Sequence, residues 1–77
     1  MRDKPMHLAS KLKTIRQRLG LSQTEMVQRL NFHGHYGRIS EYELGRRHPS
    51  ALTLLRYARA SGITLEEILD DELELSN

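Results

Sequence analysis

The sequence predicts an all-α protein, a single compact domain of five short helices. Two Ser/Thr-x-x-Glu capping boxes, one starting at Ser22 and one at Thr64, each mark the N-terminus of a helix. Glycines follow the periodic apolar segments, where a left-handed residue ends a helix. In a chain of 77 residues we expect no second domain, and the small core predicts a net stability of only roughly 3–5 kcal/mol.

The first helix has apolar residues at spacings of four, three and four, which is the repeat of one helix face: Leu8, Leu12, Ile15 and Leu19. Basic residues fill the remainder of this helix: Lys11, Lys13, Arg16 and Arg18. Gly20 ends it. The capping box formed by Ser22 and Glu25 then begins a second helix, predicted from about Gln23 to Leu30.

Asn31 is expected to cap the second helix, and helical periodicity lapses over residues 32–35, which predicts a turn. A third helix is predicted from about Tyr36 to Leu44, and Gly45 ends it. One side of this helix holds Ile39, Tyr42 and Glu43. The other side holds Gly37, Ser40, Glu41 and Leu44.

The fourth helix opens at Pro49 and Ser50 and stops at Gly62. Its apolar contacts are expected from Leu54, Leu55, Tyr57 and Ala58. A second capping box, at Thr64 and Glu67, begins a short fifth helix. The fifth helix carries Leu65, Ile68 and Leu69.

The net charge of +2 conceals a polarised chain. Residues 1–48 hold ten Lys and Arg against four acids, whereas residues 64–77 hold six acids and no base. A basic segment of this size suits a polyanion, although composition does not choose between nucleic acid and a solvated surface. We divide the chain into an N-terminal lead-in (1–7), a helical domain (8–69) and an acidic C-terminal tail (70–77).

Several classes of protein are disfavoured by composition. The chain has no cysteine, which excludes disulfides and cysteine-based zinc sites and favours an intracellular location. No apolar run is long enough to span a membrane, so we expect a soluble, cytoplasmic protein. His33 and His35 lack the further ligands that zinc requires, and no nucleophile and base form a recognisable pair. We therefore expect no metal, no cofactor and no enzyme activity.

Two short helices joined by a turn, with helices before and after, allow one helix to enter a DNA major groove. The motifs occur in a characteristic order: Leu21-Ser22-Gln23 with Glu25, Ile39-Ser40, Glu43, Gly45-Arg46-Arg47, Pro49-Ser50, Leu54-Leu55, Ala58, Gly62, and Leu65 with Glu67. In this order the chain resembles the lambda-repressor-like helix-turn-helix family, also called Cro-like or XRE-type regulators. Each motif is weak alone, and together they cover roughly residues 8–69. The resemblance implies a compact five-helix DNA-binding domain of a bacterial or phage-type intracellular protein.

The resemblance also implies which residues contact double-stranded DNA. Gln23 matches the family position that hydrogen-bonds the DNA backbone, and Ser22 and Thr24 lie beside it. The base-reading positions correspond to Tyr36, Gly37, Arg38 and Glu41. The loop that follows the phosphates corresponds to Arg46, Arg47 and His48. A structural ion pair that buttresses the first helix against the third corresponds to Arg16 and Glu43.

The chemistry of these residues leaves alternatives open. Ser22 caps a helix whether or not DNA is bound. Arg38 can read a guanine or contact a phosphate, and Tyr36 can touch a thymine methyl or a phosphate or pack beside Ile39. Glu41 can accept from a cytosine amino group or form an intramolecular salt bridge, and the basic loop can be a solvated surface.

The chain departs from the family between Leu30 and Ile39, where it has about two residues more than usual. His33 to Tyr36 either form a longer turn that reaches a phosphate, or the third helix starts later than predicted. On the first alternative, His35 is a further candidate for a DNA contact.

Two functions are compatible with the sequence. The first is a sequence-specific transcriptional regulator, a repressor that reads the major groove of a palindromic operator as a homodimer. The second is an antitoxin-like or adaptor module that binds a protein partner through the acidic stretch Asp70 to Glu74 and its neighbouring leucines. The acidic tail can instead be a frayed solubilising segment, or compete with DNA for the basic face.

Overall fold

A computed structural model describes residues 6–31 and 37–76 of the chain, and within those residues the structure is helical without a strand. Five helices follow one another: α1 (Leu8–Arg18), α2 (Gln23–Arg29), α3 (Arg38–Glu43), α4 (Ala51–Ser61) and α5 (Leu65–Leu69). The predicted all-α class and the order of five helices are confirmed.

Local hydrogen bonds set the helix ends. The Ser22 hydroxyl accepts from the Glu25 amide at 3.1 Å, and the Glu25 carboxylate accepts from the Ser22 amide at 2.9 Å. Thr64 and Glu67 repeat this arrangement at the start of α5, so both predicted capping boxes are confirmed. Asn31 follows α2 with a φ of 63°, a left-handed conformation that asparagine tolerates better than most residues.

One apolar core joins the five helices, with α1 at its centre. Helix α1 packs against α3, α4 and α5, and α2 packs against α3. The apolar positions predicted from periodicity supply nearly all of this core: Leu8, Leu12, Ile15, Met26, Val27, Leu30, Ile39, Tyr42, Leu54, Tyr57, Ala58, Ile63 and Ile68. Each fully buried aliphatic or aromatic side chain contributes about 1.5–3 kcal/mol, so the buried face of α1 is a large part of the stability.

Helix α3 is shorter than predicted. It extends from Arg38 to Glu43, whereas the apolar pattern predicted a helix from about Tyr36 to Leu44. Gly37 precedes it without a side-chain cap, and the first helical hydrogen bond runs from the Glu41 amide to the Gly37 carbonyl at 3.2 Å. Helix α3 therefore starts later than the sequence predicted. Tyr36, and the turn predicted over residues 32–35, lie outside the described residues.

Lys11 is buried, although the helical pattern placed it with the basic remainder of α1. Its residue exposure is 8%. The ammonium donates to three backbone carbonyls, those of Glu67 at 2.6 Å, Asp70 at 2.8 Å and Leu73 at 2.9 Å. The last carbonyls of a helix have no partner within the helix, and a positive charge there is favourable. Lys11 thus caps α5 from a different helix.

The C-terminal segment, residues 70–76, lies along α1. The Asp71 carboxylate accepts from the two backbone amides that precede α1, at 2.8 and 3.1 Å. The Arg18 guanidinium donates to the Ser76 carbonyl, and Leu75 packs partly against the core. The segment is therefore fixed to the domain by hydrogen bonds and is not the frayed tail that its acidity allowed.

Replacing Lys11 with methionine is expected to destabilise the fold by about 2–3 kcal/mol, because three carbonyls lose a charged donor in a partly buried site. Urea denaturation measures the loss. Lys13→Met is the matched control, since Lys13 is exposed on the same helix. Equal effects of the two substitutions would contradict this account of Lys11.

Hydrogen bonds from Ser76 and Thr64 lower the pKa of the Glu67 carboxyl to about 2. The folded state therefore favours the ionised carboxylate. Its stabilising contribution is complete above the unfolded pKa, about 4.3 for glutamate, and is lost as pH falls from there toward 2. The difference in Tm between the wild type and Glu67→Gln should be largest near pH 7 and should already have shrunk at pH 3, because that pH lies between the unfolded and the folded pKa.

The control for this measurement is Glu66→Gln. Glu66 is the exposed neighbour on α5, and its side chain has no hydrogen-bond partner within residues 6–31 and 37–76. Its effect on Tm should be small at every pH. A Glu67→Gln difference that did not change between pH 7 and pH 3 would refute the assignment.

Candidate nucleic-acid interface

The outward side of α3 is the candidate reading surface. Ile39 and Tyr42 turn inward and are buried against α1 and α2. The opposite side follows the helical spacing of three and four and holds Gly37, Ser40, Glu41 and Leu44. Leu44 is 60% exposed and Gly37 is also exposed, while Ser40 and Glu41 are half-buried. A short helix thus presents one stripe of side chains away from the core.

Arg16 and Glu43 fix α3 to α1. The guanidinium donates to the carboxylate twice, with Nε 2.7 Å from Oε2 and Nη2 3.0 Å from Oε1. The side chains are 14% and 3% exposed, respectively. The third nitrogen of the fork, Nη1, donates to the Leu21 carbonyl at 2.9 Å. The hydrogen bond to Glu43 raises the pKa of Arg16 above its ordinary value.

Gln23 joins the same network, which the sequence did not predict. Its Nε2 donates to Glu43 Oε1 at 3.2 Å, so the first residue of α2 contacts the last residue of α3. The sequence assigned Gln23 to the DNA backbone through the family resemblance alone. A contact between residues 20 positions apart leaves no local pattern that would have revealed it.

Tyr57, on α4, is fully buried, and its hydroxyl has no hydrogen-bond partner among the residues that the structure describes. Burial raises the pKa of this phenol above its ordinary value, and the nearby Glu43 carboxylate adds to the shift. The phenol is therefore uncharged at neutral pH.

Arg38 is the first residue of α3 and is partly exposed. Across residues 6–31 and 37–76 its guanidinium has neither a hydrogen bond nor an ion pair. Beside it, a Cβ built on Gly37 would meet no atom of the described residues within 4 Å. Among the described residues, the N-terminal end of α3 thus combines an unpaired guanidinium with an open approach to the backbone.

The basic loop after α3 lies beside the reading surface. Gly45 has a φ of 74°, and this turn lets the Arg46 amide donate to the Glu41 carbonyl at 2.9 Å. The side chains of Arg46, Arg47 and His48 are all exposed. Arg47 donates to the Glu41 carboxylate, with Nε 3.0 Å from Oε2, so the intramolecular salt bridge that the sequence allowed for Glu41 is present.

The remaining predicted contacts divide into two groups. Ser22 and Thr24 are exposed at the start of α2, and the Ser22 hydroxyl is engaged in the capping box. His48 has Nδ1 2.9 Å from the Pro49 carbonyl oxygen. His35 and Tyr36 lie outside the described residues, so the structure does not place them.

Two residues of the outward side were not among the predicted contacts. Ser40 and Leu44 share this side with Gly37 and Glu41, at the spacing that the helical repeat gives. The sequence placed them there, but the predicted contacts followed the family positions instead of the face. The helical periodicity itself was the signal that identified them.

A family model described as a helix-turn-helix domain matches residues 7–70, which include all five helices. The chain belongs to this helix-turn-helix family. The match confirms the family inferred from the sequence motifs, and no curated protein matches the chain. A helix-turn-helix domain indicates a DNA-binding regulator.

Two further features of this helix-turn-helix domain concern metal binding and membrane spanning. In the described part of the chain, no group of three or more His, Cys, Asp or Glu side chains is placed to bind a metal ion. Among the same residues, every helix is too short or too polar to cross a membrane.

In this helix-turn-helix domain, Glu43→Gln is expected to cost about 3 kcal/mol of unfolding free energy, because it leaves a largely buried guanidinium without its counterion. Glu41→Gln, on the same helix, breaks an exposed ion pair and should cost less than about 1 kcal/mol. Urea denaturation of the two variants compares them directly. Similar losses would show that Arg16 and Glu43 do not fix α3.

Proposed function

We propose that this helix-turn-helix domain is a sequence-specific transcriptional repressor that reads the major groove of a palindromic operator as a homodimer. The observation that carries the proposal is the exposure of the outward side of α3 among the described residues. Arg38, the first residue of α3, has no hydrogen-bond or ion-pair partner among the described residues, and the exposed cations of the loop follow the other end of the helix. A projecting helix with a cationic margin is suited to a groove lined by phosphates.

Arg38 is proposed as the main base-reading residue. A guanidinium fork donates to O6 and N7 of one guanine, which is worth roughly 1–3 kcal/mol of discrimination. Glu41 accepts from a cytosine amino group, and Gly37 lets the backbone come close to the base edges. Tyr36 and His35 are proposed as further DNA contacts from the family resemblance and the longer turn.

The proposed phosphate contacts lie on both sides of α3. At the start of α2 they are Ser22, Gln23 and Thr24, and in the loop they are Arg46, Arg47 and His48. Three other basic residues, Lys11, Arg16 and Arg18, already donate to acceptors of the chain itself. Because these three charges are engaged within the fold, the charged contacts to DNA are assigned to Arg38 and the loop.

A homodimer is proposed because one short reading helix contacts only a few base pairs, and a second copy doubles the sequence that is read. Two copies on a palindromic site would place their α3 helices in successive major grooves, with half-sites about 34 Å apart. With 6–10 phosphate contacts in total, the affinity should fall roughly 10³- to 10⁵-fold between 50 and 200 mM salt.

Selection of bound sequences from a random duplex pool tests the proposal. The wild-type chain should enrich one palindromic sequence, and Arg38→Ala should lose preference for a guanine at one position of each half-site. Arg46→Ala is the matched control. It should weaken binding to all sequences evenly and reduce the slope of log affinity against log salt by about 1 per subunit.

An unenriched pool would favour the competing proposal, an antitoxin-like or adaptor module with a protein partner. Leu73, 40% exposed in the acidic C-terminal segment, supports that alternative. Leu73→Gln is a suitable variant to test whether the C-terminal segment binds a protein partner. Deleting residues 70–77 is not, because the deletion removes two of the three carbonyls that Lys11 binds.

A further inference from the structure

The carboxylate of Glu41 occupies the boundary between the reading helix and the basic loop. Its Oε2 accepts from Arg47 Nε at 3.0 Å, and the two side chains are 40% and 45% exposed. The backbone carbonyl of Glu41 accepts from the Arg46 amide at 2.9 Å. The same residue therefore ties the loop to α3 through the main chain and pairs its second arginine through the side chain.

This position sets a condition on DNA binding. Arg47 can contact a phosphate only if it releases the Glu41 carboxylate or donates to the carboxylate and the phosphate together. Once Arg47 has left, the uncompensated carboxylate faces the polyanion and repels it. Surface ion pairs contribute little free energy, so the exchange is not blocked. It is unfavourable unless the duplex offers a donor to the carboxylate.

We propose that Glu41 is a selectivity residue that lowers the affinity for duplexes without the operator, by pairing Arg47 and by repelling phosphates. The inference rests on the proposed DNA-binding function. A cytosine amino group at the operator offsets the repulsion, because cytosine is the base that donates to a carboxylate in the major groove. Non-operator duplexes have no cytosine amino group at that position, so the Glu41 carboxylate lowers their affinity without any compensation.

The test measures binding to two fluorescent duplexes of equal length, the selected sequence and its scrambled version, by anisotropy at several salt concentrations. Glu41→Gln should bind the scrambled duplex roughly 3- to 10-fold more tightly at 100 mM salt, the contribution of about one added phosphate contact per subunit. The slope of log affinity against log salt should steepen by about 0.9 per subunit. The preference for the selected duplex should fall.

Two controls separate local pairing from net charge. Glu66→Gln makes the same change in charge on α5, which packs on α1 and α4, and should leave binding near the wild-type value. Glu41→Gln in an Arg47→Gln background should gain less than it does alone, because the arginine that it would release is missing. Circular dichroism confirms that each variant is folded.

The outcomes are distinct. If Glu41→Gln gains no more affinity for the scrambled duplex than Glu66→Gln, while the wild type still prefers the selected sequence, the inference is wrong and the proposed function stands. If the folded wild type binds neither duplex, the proposed function fails and the inference fails with it. A gain confined to Glu41→Gln and reduced without Arg47 supports both.

Discussion

The ion pair between Arg16 and Glu43 is the contact on which the candidate reading surface depends. Helix α3 has six residues and no side-chain cap at its start, and an isolated helix of that length is unstable in water. Its order therefore comes from tertiary contacts. Ile39 and Tyr42 anchor one face in the core, and the bidentate ion pair fixes the C-terminal end to α1. A buried ion pair adds little net stability, but its geometry restricts the orientation of the helix.

Local chemistry explains why most of the fold could be predicted from the sequence. Capping boxes act within four residues, and the apolar repeat acts within one turn, so the bounds of α2, α4 and α5 follow from neighbouring residues. The start of α3 was misplaced because glycine leaves no capping signal, so nothing at Gly37 marked where helical hydrogen bonding begins.

Long-range polar contacts limited what could be predicted about the site. Lys11 binds carbonyls 56 to 62 positions later in the chain, and the sequence around it is that of an ordinary solvated helix position. The Gln23 contact with Glu43 likewise leaves no signal in the neighbouring sequence. The pairing of Arg16 with Glu43 was anticipated only because the chain resembles a known family. The predicted contacts were chosen by that resemblance and did not include Ser40 and Leu44. The helical repeat places both on the outward side of α3.

The opposed charges of the two ends of the chain have a structural explanation in part. Asp71 compensates the free amides at the start of α1, and Glu67 accepts from the Ser76 amide at 2.6 Å. The acidic end is thus bound close to the first helix, on the side where Lys11 and Arg18 donate to it. Part of the basic charge of the N-terminal half is used there. Of the rest, Arg38, Arg46 and Arg47 lie on α3 and its loop, and the exposed Lys13 and Arg29 lie on α1 and α2.

Gly37 gives position 37 an unusual freedom. Its φ of −78° suits any amino acid, and no atom of the described residues lies within 4 Å of a Cβ built there. The described fold needs no particular side chain at position 37, although this position lies at the N-terminal end of the candidate reading surface. A library varied at this single position would alter the chemistry offered to the base pairs while leaving the core untouched. Such a library provides a route to retarget the domain to new sequences.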